Sequence, residues 1–269
     1  MGAISAGRRS IAAVIRNPIL VVVALVLGLV QLPQIFMQSV DSPTIVIVSG
    51  LLSLLLLVLY PFFFGGIIGM GNEAVTGTTS LGTFVRAGKA NYVSMLGALL
   101  IMMGLGVVYV IALFLIGAIG GFAVVSASGD ASGGAAFLAI AAVVLVAFLL
   151  YFVLFFFIQF FGQAIVIDDL GAVDGFKRSV GAVRGHKLST LGYMLVVMLI
   201  SGVFGAFGAV LGLVGTFPAT GGVQTSSLGV IAVAAVVFLV LTGVVGAFSM
   251  TYGVAFYRDI RPTESSASP

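Results

Sequence analysis

Of the chain's 269 residues, 61% are hydrophobic and 7% charged, and the mean hydropathy is +1.31. A soluble domain carries about 25% charged residues, so these few charges exclude a water-soluble fold and require lipid to solvate most of the outer surface. The net charge of +3 does not point to nucleic acid, because the cations stand between apolar segments, where membrane topology accounts for them.

Six apolar stretches reach the roughly 20 residues that a bilayer core of about 30 Å requires. The chain first passes through a short basic segment in which Ile4, Ile11, Val14 and Ile15 oppose Arg8, Arg9 and Arg16. The first span, 18–37, follows; no small-residue cleavage site occurs over 31–37, so it reads as an uncleaved span rather than a signal peptide. The second span, 44–70, contains Pro61, expected to kink it. A second basic helix aligns Leu81, Phe84, Val85, Gly88 and Tyr92 and turns Arg86 and Lys89 away. Gly82 to Ala90 superficially resembles a phosphate loop, but it has five residues between its glycines rather than four and no hydroxyl residue after Lys89. Spans at 92–125 and 135–167 come next. The phenylalanines of the fourth, Phe152 to Phe161, suit lipid contact and helix packing, and that span is expected to leave the lipid near Gly162 and run on to Asp168 and Asp169. A third basic helix, Val173 to His186, places Val173, Phe176, Val180 and Val183 on one face, with Asp174, Lys177, Arg178 and Arg184 mostly on the other. Spans at 188–216 and 228–257 complete a single six-span domain over 1–261, followed by a short flexible cytoplasmic tail at 262–269.

The fold class expected is therefore all-α, a polytopic membrane protein with six transmembrane helices and three amphipathic helices flat on one interface. The linkers 38–43, 126–134 and 217–227 contain no Lys or Arg, and all 11 cations lie on the opposite side. The positive-inside rule then places both termini in the cytoplasm, and the expected location is the cell (plasma) membrane. A basic helix precedes each pair of spans, and Arg16-Asn17-Pro18, Lys89-Ala90-Asn91 and Arg184-Gly185-His186 each introduce a span, so the chain reads as three copies of one unit. The pairs Gly117/Gly121 and Gly208/Gly212, the latter extended by Gly202 and Gly205, are expected to bring spans into close contact.

The chemistry is sparse. With no cysteine and one histidine, His186, neither a thiolate nor an imidazole pair is available for a metal, and no cofactor is expected. Asp168, Asp169 and Asp174 form the one acidic cluster and, beside Lys177 and Arg178, suit local ion pairing. No ionisable residue stands near mid-span, where a charge costs about 2.5–3.5 kcal/mol on insertion scales. These features predict a non-catalytic membrane module without nucleic-acid partners. Its basic helices would contact anionic lipid head groups through Arg86, Lys89, Lys177, Arg178 and Arg184, each worth roughly 1 kcal/mol near such a surface; a protein partner or a homo-oligomer is the other expected association. The alternative is a transporter or channel for a small or lipid-like solute, with a cavity lined by Gln31, Gln159, Gln163 and Tyr252.

From Gly162 to His186 the chain reads GQAIVIDDLGAVDGFKRSVGAVRGH. This segment resembles the corresponding junction of the six-span membrane domain associated with glycerophosphodiester phosphodiesterases and its stand-alone relatives, including haloarchaeal ones. The resemblance implies a membrane module rather than catalysis, since the phosphodiesterases' catalytic domain has no counterpart in these residues. The lack of Cys and Trp, with eight Arg to three Lys, is compatible with a haloarchaeal source.

Overall fold

A computed structural model describes residues 2–37, 42–128, 134–216 and 228–261; side chains at 31–37, 121–125, 127–128, 134–137, 139, 207–216, 228–235 and 238 lie outside the description. Among the described residues the chain forms ten helices and no strand: α1 (Ala3–Arg16), α2 (Ile19–Met37), α3 (Pro43–Thr76), α4 (Leu81–Ala90), α5 (Tyr92–Ser128), α6 (Gly134–Ile158), α7 (Phe161–Ile167), α8 (Ala172–Gly185), α9 (Lys187–Thr216) and α10 (Leu228–Ile260). Five stretches are long and apolar enough to cross a membrane: Pro43–Thr76, Tyr92–Gly120, Ile140–Ile167, Lys187–Ala206 and Leu239–Ile260. A sixth is reached when α1 and α2, bent by 90° at Asn17 and Pro18, are taken together. Leu, Val and Ile side chains cover the outside of these helices, as a lipid-solvated surface requires. The protein is therefore a helical membrane protein. Its centre is α10, 44% buried along its most apolar stretch against 6% or less in the other four.

The helix ends depart from the hydropathy boundaries in an instructive way. The second apolar stretch does not stop at Met70 but continues through Asn72 and Glu73 to Thr76, and Pro61 lies inside α3 without ending it. Beside that proline the Tyr92 hydroxyl donates to the Val58 carbonyl at 3.0 Å. The fourth stretch, expected to leave the lipid near Gly162 and run on to Asp168 and Asp169, breaks at Gln159 and Phe160. The cause is a side chain inserted into the backbone ladder: the Ser179 hydroxyl of α8 accepts from the Phe160 amide at 3.1 Å and donates to the Phe157 carbonyl at 2.9 Å. After the break α7 ends in a left-handed turn, with Asp169 at φ 53° and the Leu170 amide donating to the Ile165 carbonyl, a helix stop that tolerates aspartate better than a branched residue.

The three short helices α1, α4 and α8 gather at one end of the bundle, and their placement is cyclic. Helix α4 packs on α3, the long helix before it; α8 packs on α7, which completes α6; and α1 packs on α10, the last long helix. Each docks through small residues: Ala6, Ser10 and Ala13 in α1, Thr83 and Gly88 in α4, Gly175, Ser179 and Ala182 in α8. Backbones approach closely there. A methyl on Gly88 would lie 2.7 Å from the Phe62 carbonyl oxygen, and one on Gly175 would lie 2.5 Å from Ile165 Cγ1. The glycines expected to do this in the long helices do not: Gly117, Gly202 and Gly205 meet no atom within 4 Å, while Gly121, Gly208 and Gly212 lie outside the described side chains. Gly117, Gly202 and Gly205 face outward, and the close approaches fall elsewhere, where the short helices dock and between α2 and α10, where a methyl on Gly243 would lie 2.5 Å from Leu25 Cγ.

Candidate functional site

The charged end of the bundle is built from one arrangement used three times. Each short helix ends in a residue whose side chain hydrogen-bonds an alanine carbonyl one turn back: Asn17 Nδ2 to Ala13 at 2.9 Å, Asn91 Nδ2 to Ala87 at 3.0 Å, His186 Nδ1 to Ala182 at 3.2 Å. Eight residues before these ends stand Arg9, Thr83 and Arg178. Each of the three reaches an acid near the end of the long helix on which its own helix packs. Arg9 pairs with Asp259, the Thr83 hydroxyl donates to Glu73, and Arg178 Nε lies 3.2 Å from Asp168. Four residues before each acid is a buried small residue, Gly69, Ala164 or Ala255, which lets the short helix close on the long one.

Helix α10 ties the units together. Arg258 Nη1 donates to the Asn72 side-chain oxygen at 3.0 Å and to its carbonyl at 3.3 Å, while Arg261 lies 3.1 Å and the Tyr257 hydroxyl 2.5 Å from Asp168. Arg16 Nη2 donates to the Ala74 carbonyl at 2.8 Å and Nε to the Gly77 carbonyl at 3.1 Å, a cation on the exposed carbonyls of a helix C-terminus.

The three units are not equal at the acid. Asp168 faces two arginines at 3.1–3.2 Å, and Asp259 takes Arg9 directly. Glu73 is held by two hydroxyls, Thr83 and Thr79, the latter at 2.9 Å, and its nearest cation, Arg86, stands 3.9 Å away with its side chain 74% exposed. Beside it opens a cavity of about 340 Å³, lined among others by Asn72, Glu73, Thr83, Arg86, Asn91 and Arg258. A second hollow, about 580 Å³ and apolar, runs among α2, α3, α5 and α10 past Leu27, Leu57, Tyr60, Phe64, Leu99 and Met250. A third, about 740 Å³, separates α1 from α9 around Ile4, Arg8, Ser189 and Gly192.

The cations expected at lipid head groups fall into four environments. Lys89 and Arg184 are exposed, with no carboxylate in salt-bridge range among the described residues. Lys177 is exposed but bonds Asp174 at 3.0 Å, and Arg86 lines the polar cavity. Arg178 is drawn inward to Asp168 and belongs to the docking contact rather than the outer surface. Of the residues expected to line a transport cavity, Gln163 and Tyr252 both neighbour Tyr193: a methyl on Gly253 would lie 3.0 Å from Gln163 Nε2 and 3.3 Å from the Tyr193 hydroxyl, and the Tyr193 and Tyr252 rings are 4.8 Å apart. Gln159 instead bonds the Phe156 carbonyl of its own helix, and the Gln31 side chain lies outside the described residues. None of the three hollows is lined by Gln159, Gln163 or Tyr252. Glu73, Asn72, Arg258 and the Arg9–Asp259 pair were not singled out from sequence. The signal that could have found them is the recurrence of an acid near the end of every second apolar stretch.

A family model described as "Domain of unknown function (DUF7847)" matches residues 1–260. No curated protein and no solved structure matches the chain.

Proposed function

The chain belongs to the DUF7847 family, whose description names no activity, and from the structure we propose a non-catalytic membrane module that organises anionic lipid at the cytoplasmic face of the plasma membrane. In this reading α2 alone makes the sixth span, both termini are cytoplasmic, and α1, bent by 90° from α2, lies in the interface with α4 and α8.

The observation that carries it is the three-sided character of the short helices. A mostly small side docks on the bundle, joined by Phe84, Phe176 and Val183, and leaves other bulky apolar side chains together with basic ones outside. Ile4 and Ile15 are each 76% exposed alongside Arg8 and Arg16, Leu81 and Val85 are exposed alongside Lys89, and Val173 alongside Lys177. Water would satisfy the second set and not the first; the boundary of acyl chains and anionic head groups satisfies both. The test is lipid retention. Purified in mild detergent from membranes containing phosphatidylglycerol and phosphatidylcholine, the protein is expected to retain phosphatidylglycerol preferentially, and the triple variant Lys89→Glu, Lys177→Glu, Arg184→Glu is expected to lose most of that preference. Unchanged retention would refute the reading.

A transporter of a lipid-like solute is the second reading, favoured by the apolar hollow beside Tyr60 and Met250. Flux in proteoliposomes blocked by Tyr60→Trp would favour it over the module.

A further inference from the structure

We propose that the cavity bounded by Glu73, Arg86 and Arg258 binds the phosphate group of an anionic ligand, a singly charged phosphodiester in preference to a polyphosphate. The position that clasps the acid is arginine in two units, Arg9 and Arg178, and threonine in the third, Thr83. A hydroxyl replaces a guanidinium there, so both bulk and charge are missing, and the open volume of about 340 Å³ lies beside that side chain. This is at the small end of the roughly 300–1,000 Å³ typical of ligand pockets.

The charges around the cavity point to an anion. Glu73 is already satisfied by Thr79 and Thr83. Arg86 lies 3.9 Å from it and donates to the Thr83 hydroxyl at 3.4 Å, with its side chain exposed at the edge of the cavity. Arg258 is held by the carbonyl and side-chain oxygens of Asn72, both neutral. Two guanidinium groups against one carboxylate leave one net positive charge. Guanidinium forks match phosphate oxygens in pairs, and the amides of Asn72 and Asn91 supply further polar groups in the lining. In the other two units the arginine at the position of Thr83, Arg9 or Arg178, is engaged directly with aspartate, which distinguishes this unit from them. The phosphate can come from a lipid head group, a source that rests on the interfacial reading above, or from a soluble phosphodiester.

The experiment titrates the purified full-length protein in detergent with glycerophosphoglycerol and, separately, with phosphatidylglycerol in phosphatidylcholine nanodiscs. Thr83→Arg restores the pattern of the other two units by placing a guanidinium beside Glu73, and it is expected to keep or raise the melting temperature while weakening binding about tenfold or more. Arg258→Gln is expected to weaken it similarly, whereas Lys89→Gln with Arg184→Gln, at the outer lipid-facing cations, is expected to change binding of the soluble glycerophosphoglycerol by less than about twofold. Binding of both probes assigns a general phosphodiester site, and binding of the lipid alone assigns a head-group site; either supports the proposal. Binding of neither probe, or wild-type affinity in a folded Thr83→Arg protein, overturns it. Loss of lipid binding only in the Lys89 and Arg184 variants overturns the site while leaving the interfacial reading standing, whereas phosphatidylglycerol retention untouched by the outer charge reversals removes that reading and leaves the soluble-probe result to decide the site.

Discussion

A methyl group added to Gly69 would overlap the Cβ of Ala87 across the contact between α3 and α4. Gly69→Ala is therefore expected to destabilise the protein by about 1–3 kcal/mol, the usual cost of overpacking, read as a lower melting temperature in detergent. Ala87→Gly in the same chain should restore most of it, because the clash is between two methyl groups and not with a backbone. Arg9 and Asp259 offer a complementary case. The Asp259 side chain is 6% exposed and Arg9 39%, so Asp259→Asn strands a partly buried cation. It should cost about 2 kcal/mol, the low end for a buried, hydrogen-bonded pair, and a double-mutant cycle with Arg9→Gln should recover a coupling of the same sign.

At the scale of elements, the existence and approximate limits of α1, α4 and α8 were legible from a period of 3.6 and from their cations, because amphipathicity is written in single residues. Which side meets protein was not. A two-faced reading assigns apolar side chains to lipid and cations to head groups, yet Val183 is fully buried against the bundle while Val173 is 55% exposed. The face that docks is the small one, and alanine, serine and glycine carry little hydropathy by which to recognise it. The break between α6 and α7 was equally hidden, since the residues at fault are apolar and the cause, Ser179, lies in another helix. Ser179→Ala leaves the Phe160 amide and the Phe157 carbonyl without that partner and is expected to cost about 1–3 kcal/mol, seen as faster amide exchange confined to residues around 157–160. Exchange unchanged there would show that the break holds itself.

Across the whole molecule, charge placement in the sequence was the clearest guide: the cations described in the structure cluster at one end of the bundle, joined through Asp168, Asp259 and Glu73. The sequence offered the triplets 16–18, 89–91 and 184–186, which set Asn17 opposite Ala90 and Gly185; the bonds to Ala13, Ala87 and Ala182 instead match Asn17 with Asn91 and His186, and the cyclic closure was hidden because nothing local marks α10 as the partner of α1. Sidedness itself can be read with cysteines, which the native chain lacks. Ser179 is fully buried and unsuitable, whereas Ala90 is exposed. An impermeant maleimide applied to intact cells is expected to label Ser128→Cys and to spare Ala90→Cys until the membrane is opened; the reverse pattern would invert the topology.

The contact between Arg9 and Asp259 spans 250 positions of sequence, and this sets a timetable. Helix α4 can settle on α3, and α8 on α7, as soon as each emerges, since the partner has already been made. Helix α1 can meet the end of α3 early, through Arg16 on the Ala74 and Gly77 carbonyls, but its main partner is missing until α10 arrives. If it lies in the interface as proposed, it waits there with Arg9 unpaired and its alanine side uncovered, held by Arg16 and by its isoleucines in the lipid. The same side chains that look surplus in the finished protein, Ile4, Ile11 and Ile15, would then serve as a temporary mooring, and weakening them should slow assembly more than it loosens the completed fold.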